Sequence, residues 1–272
     1  MTWHDIAHKD VNDAGRSKTI WLLLALLVVM SLGYTFVHQY LGENTFASFV
    51  GGLAGVVALV LPLLALVLGY KSIVHERTSG SLFLTLCLPH DRTDLAVGTF
   101  VGRSLVLLVP TLLALVPAGV AGAVLYGTDG LLLYPWFLFA TALYGVAFVG
   151  IAVGLSMATK ADRWITFGAL GGYLLLVTFW NAFHTLTLLV LHRFDFTVLS
   201  DMPGWAQLFL LAKPSESYYR LLRAGFDIDR AGRYVAEGVP LYVDWWMAIV
   251  LLVAWSLVPL VVGYRRFRAA DL

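Results

Sequence analysis

Residues 49–73 read FVGGLAGVVALVLPLLALVLGYKSI, and Lys71 is their only charge. A helix needs about 20 apolar residues to cross about 30 Å of hydrocarbon. This run exceeds that length and is apolar on every face, so it is expected to span a bilayer rather than to pack on a soluble core. Working outward, comparable runs occupy Thr19–His38, Ser104–Tyr126, Leu132–Met157, Trp164–Leu191 and Asp244–Tyr264. The expected fold class is all-α: one polytopic domain over 1–272 with six transmembrane helices. With 60% apolar side chains and a mean hydropathy of +0.81, the chain is excluded from the soluble globular class. The first run has the position of a secretion signal. It is too long and lacks a small-residue cleavage site, and five more runs follow, so a retained helix is expected.

The loops set the orientation. Lys9, Arg16 and Lys18 precede the first span. Lys71, Arg77, Arg92 and Arg103 follow the second. Lys160 and Arg163 follow the fourth, and Arg265, Arg266 and Arg268 follow the last. The intervening short loops, near Gln39–Ser48 and Gly127–Leu131, carry only Glu43 and Asp129. The positive-inside rule then places both termini in the cytoplasm of a plasma-membrane protein. Six further cations lie in His192–Val243, a segment of 52 residues that the rule governs weakly. The formal net charge of +1 says nothing about partners, because the charges are distributed along the chain; a lipid bilayer and no nucleic acid are the expected surroundings of such a chain.

Three polar segments have helical signals. Residues 2–18 space Trp3, Ile6 and Val11 near a helical repeat, which suits an amphipathic helix at the inner surface or else a frayed terminus. In the loop over 74–103, Gly80 and Pro89 bracket an apolar element, Ser81–Leu88, too short to cross. Asp91 and Asp94 then suit the start of the third helix, near Thr93 and well before its apolar part. This gives a cytoplasmic hairpin with an amphipathic element at 80–90. The extracytoplasmic segment 192–243 contains two helical patterns over 204–224, divided at Lys213-Pro214, which are expected to form a pair of amphipathic helices at the outer surface.

Catalytic motifs are missing. No G-x-x-x-x-G-K-[ST] phosphate loop and no H-E-x-x-H occurs. Gly154-Leu155-Ser156-Met157 is a partial match to the rhomboid serine motif that lacks its second glycine. Ser156 falls at the inner end of its span and the candidate base His184 in the outer half of another. His4 and His8 stand one turn apart without a third ligand, and Cys87 reads as a small apolar filler, so no metal is expected. Small-residue pairs at Gly51/Gly55, Ala118/Gly122, Gly150/Gly154 and Gly168/Gly172 allow close helix approach. Asn181 and His184 form a polar patch that either lines a path or hydrogen-bonds a neighbouring helix.

The order of motifs around the hairpin resembles the ABC-2 type transporter permeases. The resemblance rests on Glu76, then Gly80 and Leu82, Leu86, Pro89-His90-Asp91-Arg92, and Gly98, Gly102 and Arg103 entering the third span. The ends, HKDVNDAGRSK and YRRFRAADL, are also similar to that family's, and the branch that includes the nitrous oxide reductase maturation permease is the most similar. The resemblance implies a non-enzymatic subunit of an ATP-binding cassette exporter. A second permease chain and a separate ATPase subunit, which holds ATP and Mg, would complete it. It implies that Glu76, Arg77, Gly80, Leu82, Leu86, Pro89 and Arg92 couple to that ATPase. It also implies that Gly51, Gly55, Asn181 and His184 line the path or a helix interface. An ion-gradient-driven transporter or channel acting without an ATPase is the alternative. That reading needs a charge deep in a span, whereas Asp129 and Asp244 sit at span edges.

Overall fold

The computed structural model describes residues 3–41, 44–70, 72, 91–159, 162–200, 202–226, 228, 230, 232–234 and 239–269. Among the described residues every regular element is helical. Six stretches are long and apolar enough to span a membrane: Ile20–Tyr40, Phe46–Gly69, Arg92–Tyr126, Leu131–Ala158, Thr166–Leu191 and Trp245–Ala269. The elements are α1 (Trp3–Arg16), α2 (Lys18–Val37), α3 (Phe46–Gly69), α4 (Arg92–Tyr126) and α5 (Tyr134–Ala158). The fifth span joins α6 (Asp162–Tyr173) to α7 (Trp180–Leu191) through a π-helical turn, Leu174–Phe179. Helices α8 (Gly204–Leu211), α9 (Pro214–Arg223) and α10 (Trp245–Ala269) complete the chain.

Local chemistry explains several boundaries. Thr45 caps α3, its hydroxyl accepting from the Ser48 amide at 3.2 Å. Asp91 occupies the N-cap position of α4, but its side chain makes no cap bond. At 35 residues α4 is about 52 Å long, so it begins well before its apolar part. Gly127 closes it at φ 93°, a conformation glycine adopts without steric cost. Arg193 and Phe194 also take positive φ, turning the chain sharply after α7.

The tightest helix pair is α5 against α10, and glycine makes it possible. A Cβ on Gly150 would lie 2.7 Å from the Ser256 Cα, and one on Gly154 would lie 2.5 Å from the Pro259 carbonyl carbon. Gly263 repeats the pattern against the Gly154 backbone, at 2.8 Å. The pair at Gly150/Gly154 is thus spent on an internal crossing of two backbones. Gly171 and Gly172 of the fifth span meet nothing within 4 Å.

Aromatic side chains pin the centre by their polar tips. The buried Tyr144 donates to the Ala58 carbonyl at 3.0 Å and stacks on Tyr218 with ring centroids 4.8 Å apart. Tyr134 donates to the Leu115 carbonyl, Trp136 to Leu221 and Trp255 to Ala212, each at 2.7 Å. In an apolar surround each such bond satisfies a group that water cannot reach. Two of them, from Trp136 and Trp255, and the Tyr144–Tyr218 stack draw α9 and the end of α8 onto the spans. As a result α9 is buried on nearly every side, Ser215, Ser217 and Arg220 included.

Residues 3–16 form a continuous helix, so the frayed alternative does not hold. Ile6, Ala7 and Ala14 are buried. The helix crosses α4 where two glycines admit it: a Cβ on Gly98 would come within 2.7 Å of the Ile6 Cβ, and one on Gly102 within 2.7 Å of the Asp10 Cβ. Arg103 pairs with Asp10 at 3.3 Å. A bulky residue in that crossing should lift α1. In a Cys87→Ala background, Gly98→Leu is expected to raise the alkylation rate of an Ile6→Cys thiol by about tenfold or more, the signature of local opening. An unchanged rate would show that α1 is held elsewhere.

Candidate functional site

An open cavity of about 690 Å³ lies between α3, the fifth span and α9. Gly55, Ala58 and Leu59 contribute from α3 and Val177 from the π turn. Asn181 comes from α7, while Lys213, Ser215, Glu216, Tyr219 and Arg230 come from the segment before α10. The π turn holds Val177 and stands just before Asn181; such wide turns recur at functional sites in helices.

The polar groups are organised by short bonds. Lys213 is only 6% exposed, and its ammonium donates to Asn181 Oδ1 at 3.1 Å. Burial pulls the Lys213 ammonium below the ordinary lysine range, and Glu216 nearby works in the opposite direction. Tyr234 donates to Glu216 Oε2 at 3.0 Å. Arg230 donates to the Tyr219 hydroxyl, and its guanidinium sits 4.9 Å from the centre of that ring. Burial raises the Tyr219 phenol, with Arg230 opposing. Beneath this layer Ala58, Leu59 and Val177 are apolar.

Of the four residues expected to line a path or a helix interface, the structure brings two to the cavity and places two beside it. Gly55 and Asn181 line it. A Cβ on Gly55 would lie 3.4 Å from Arg230 Nη1, and one on Gly51 would lie 3.0 Å from Ile228 Cγ2. The Gly51/Gly55 face therefore seats the segment before α10 rather than another helix. His184 is 2% exposed and donates from Nε2 to the Ala206 carbonyl at 2.9 Å, so it ties α7 to α8.

At the other end of the bundle, Arg92 donates to the carbonyls of Phe267 and Arg268 at 3.0 and 2.9 Å, and lies over the Phe267 ring at 5.6 Å. The guanidinium thus satisfies the last carbonyls of α10, where a cation also suits the helix dipole. Thr93 and Tyr264 share a hydroxyl bond of 2.7 Å alongside. Glu76, Arg77, Gly80, Leu82, Leu86 and Pro89 lie outside the described residues.

Sequence reasoning did not identify Lys213, Glu216, Tyr219 and Arg230 as site residues. A lysine next to a proline, within an aromatic-rich polar segment, was the one signal available.

A family profile described as ABC-2 family transporter protein matches residues 4–272. The chain is 29% identical over 277 residues to the probable ABC transporter permease protein NosY of Stutzerimonas stutzeri, covering 98% of each. It is 29% identical over 280 residues to the protein of that name from Pseudomonas aeruginosa, covering 97% of this chain and 96% of the other. With a match running from the first helix to the last residue, and six apolar helices in place, this multi-pass protein of the cell membrane belongs to the ABC-2 family of transporter permeases.

Proposed function

We propose that the protein is the permease half of an ATP-driven exporter, working as a homodimer with one separate ATPase subunit on each copy. Both termini and the hairpin 74–103 face the cytoplasm, and 192–243 faces outward. The sequence supports this orientation: the short loops that carry Lys and Arg alternate along the chain with short loops that carry none. The cavity under α9 is the outer part of the cargo path. The observation that carries the reading is this polar cavity of about 690 Å³, lodged between two membrane spans. Asn181 is the polar side chain that a span contributes to it, and a polar group in a span marks a path or a helix contact.

The ATPase, with its ATP and Mg, works through the hairpin. Glu76, Arg77, Gly80, Leu82, Leu86, Pro89 and Arg92 form the coupling element, and Arg92 also joins its base to the last helix. ATP binding can shift the path only if the ATPase contacts the hairpin differently in its two states. Among the described residues the charges at the cavity, Lys213, Glu216 and Arg230, belong to the segment before α10 and not to a span, which gives the gradient-driven alternative no support from this cavity.

The test is reconstitution with the cognate ATPase. Glu76→Ala, and Leu82→Asp with Leu86→Asp, should lower ATP-driven transport by about tenfold or more, as losing an interface anchor does, while insertion into the membrane is unchanged. Transport by the purified chain without any ATPase, or full coupling in both variants, would reject the reading.

A further inference from the structure

The cavity is two-toned, and its charges do not cancel. Among the described residues its lining carries Lys213 and Arg230 against the single carboxylate of Glu216, which already accepts from Tyr234. Lys213 uses one of its three N–H donors on Asn181, and Arg230 uses one of five on Tyr219. Ser215 and the first turn of α9 border the same space, and the amides of a helix N-terminus favour negative charge. The rest of the lining is apolar: Gly55, Ala58, Leu59 and Val177. A volume of about 690 Å³ falls in the range of pockets for organic ligands and exceeds what a bare ion fills.

We propose that this cavity binds an anion with an apolar body, Arg230 and Lys213 holding a phosphate or carboxylate head while Ala58, Leu59 and Val177 cover the hydrocarbon. The assignment rests on the cavity being part of the cargo path, and it names the class of cargo. A cation is disfavoured by both charges, and a neutral amphiphile leaves the excess positive charge uncompensated in a partly desolvated place. Such an anion also adds to the partial counter-charge that Glu216 gives the buried Lys213 ammonium. The head has two sources, the headgroup of an anionic lipid or a water-borne alkyl anion.

The experiment uses the full chain in phosphatidylcholine nanodiscs with hexyl phosphate bearing a terminal diazirine, and the matching uncharged alcohol. After irradiation the phosphate should attach to peptides carrying Ala58 and Leu59 or Val177, and the alcohol should not. Arg230→Gln, an exposed position expected to fold, and Lys213→Gln should each reduce that labelling by about tenfold, the effect of one charge-assisted bond. Equal labelling by the alcohol, or undiminished labelling in both variants, overturns the proposal. Competition by phosphatidylglycerol in the disc supports the anion and assigns it to a lipid. Competition by unlabelled hexyl phosphate alone supports it and assigns it to solution. Labelling lost in Arg230→Gln while transport by the full complex is unchanged leaves the anion site standing and removes the path.

Discussion

Gly154→Val is expected to yield no folded protein. The Cβ it adds would stand 2.5 Å from the carbonyl carbon of Pro259, and the added methyls have nowhere closer to solvent to go. The obstacle is backbone on a helix that itself leans on Gly154 through Gly263, so no side chain can rotate away. Overpacking typically costs about 1–3 kcal/mol where neighbours can relax, and here the two spans must separate along their length. A loss of about 4 kcal/mol or more is expected, nearly the whole stability of a protein at the low end of the usual range of about 5–15 kcal/mol. Size-exclusion profiles of the solubilised chain should show aggregate in place of the parent peak. Gly172→Val is the matched control, because a Cβ there meets nothing within 4 Å. It should leave the fold intact. A monodisperse peak for Gly154→Val would mean that the two helices do not cross as described.

The second large effect is an asymmetry between two ends of one ion pair. Arg220 pairs with Asp244, and their side chains are 8% and 39% exposed. Arg220 Nε is buried and has no hydrogen-bond partner among the described residues, and burial pulls the guanidinium below the usual arginine range. Asp244 Oδ1 also accepts from the Trp245 amide at 2.6 Å, capping α10. Asp244→Ala therefore strands a buried cation and removes a cap. Breaking a buried pair costs about 3–5 kcal/mol, and the partial exposure of Asp244 brings the expected loss to about 2–3 kcal/mol. Arg220→Met removes the buried charge itself and should change stability by only about 1 kcal/mol or less. Thermal unfolding of the purified chain in detergent compares the two. Equal destabilisation would show that the charge is not the expensive element.

The membrane spans were legible because a bilayer demands a long uninterrupted apolar run, and that demand is local in the chain. Phe46–Gly69 and Trp245–Ala269 differ from their expected bounds only near the ends. The early start of α4 was likewise written in its own first turn. The cavity was not legible in the same way. Asn181 and Lys213 are 32 residues apart, and Arg230 joins them only because Tyr218 and the Leu221 carbonyl dock α9 against α5. No periodicity encodes that docking. Asn181 and His184, three residues apart, were read as one patch, yet the structure gives one to the cavity and the other to α8. Gly98 and Gly102 entered as a family motif, and the crossing with α1 supplies the physical reason for them.

The wide turn at Leu174–Phe179 divides the fifth span mechanically. Below it Tyr173 is tied to the Leu59 carbonyl at 3.3 Å, and above it Asn181 and His184 are tied to Lys213 and Ala206. The rungs of the turn are spaced differently from those on either side, so α6 and α7 do not form one rod. The half that holds Lys213 and Ala206 is therefore joined to the half that holds the Leu59 carbonyl through a break in regular α-helical bonding rather than by a continuous shaft.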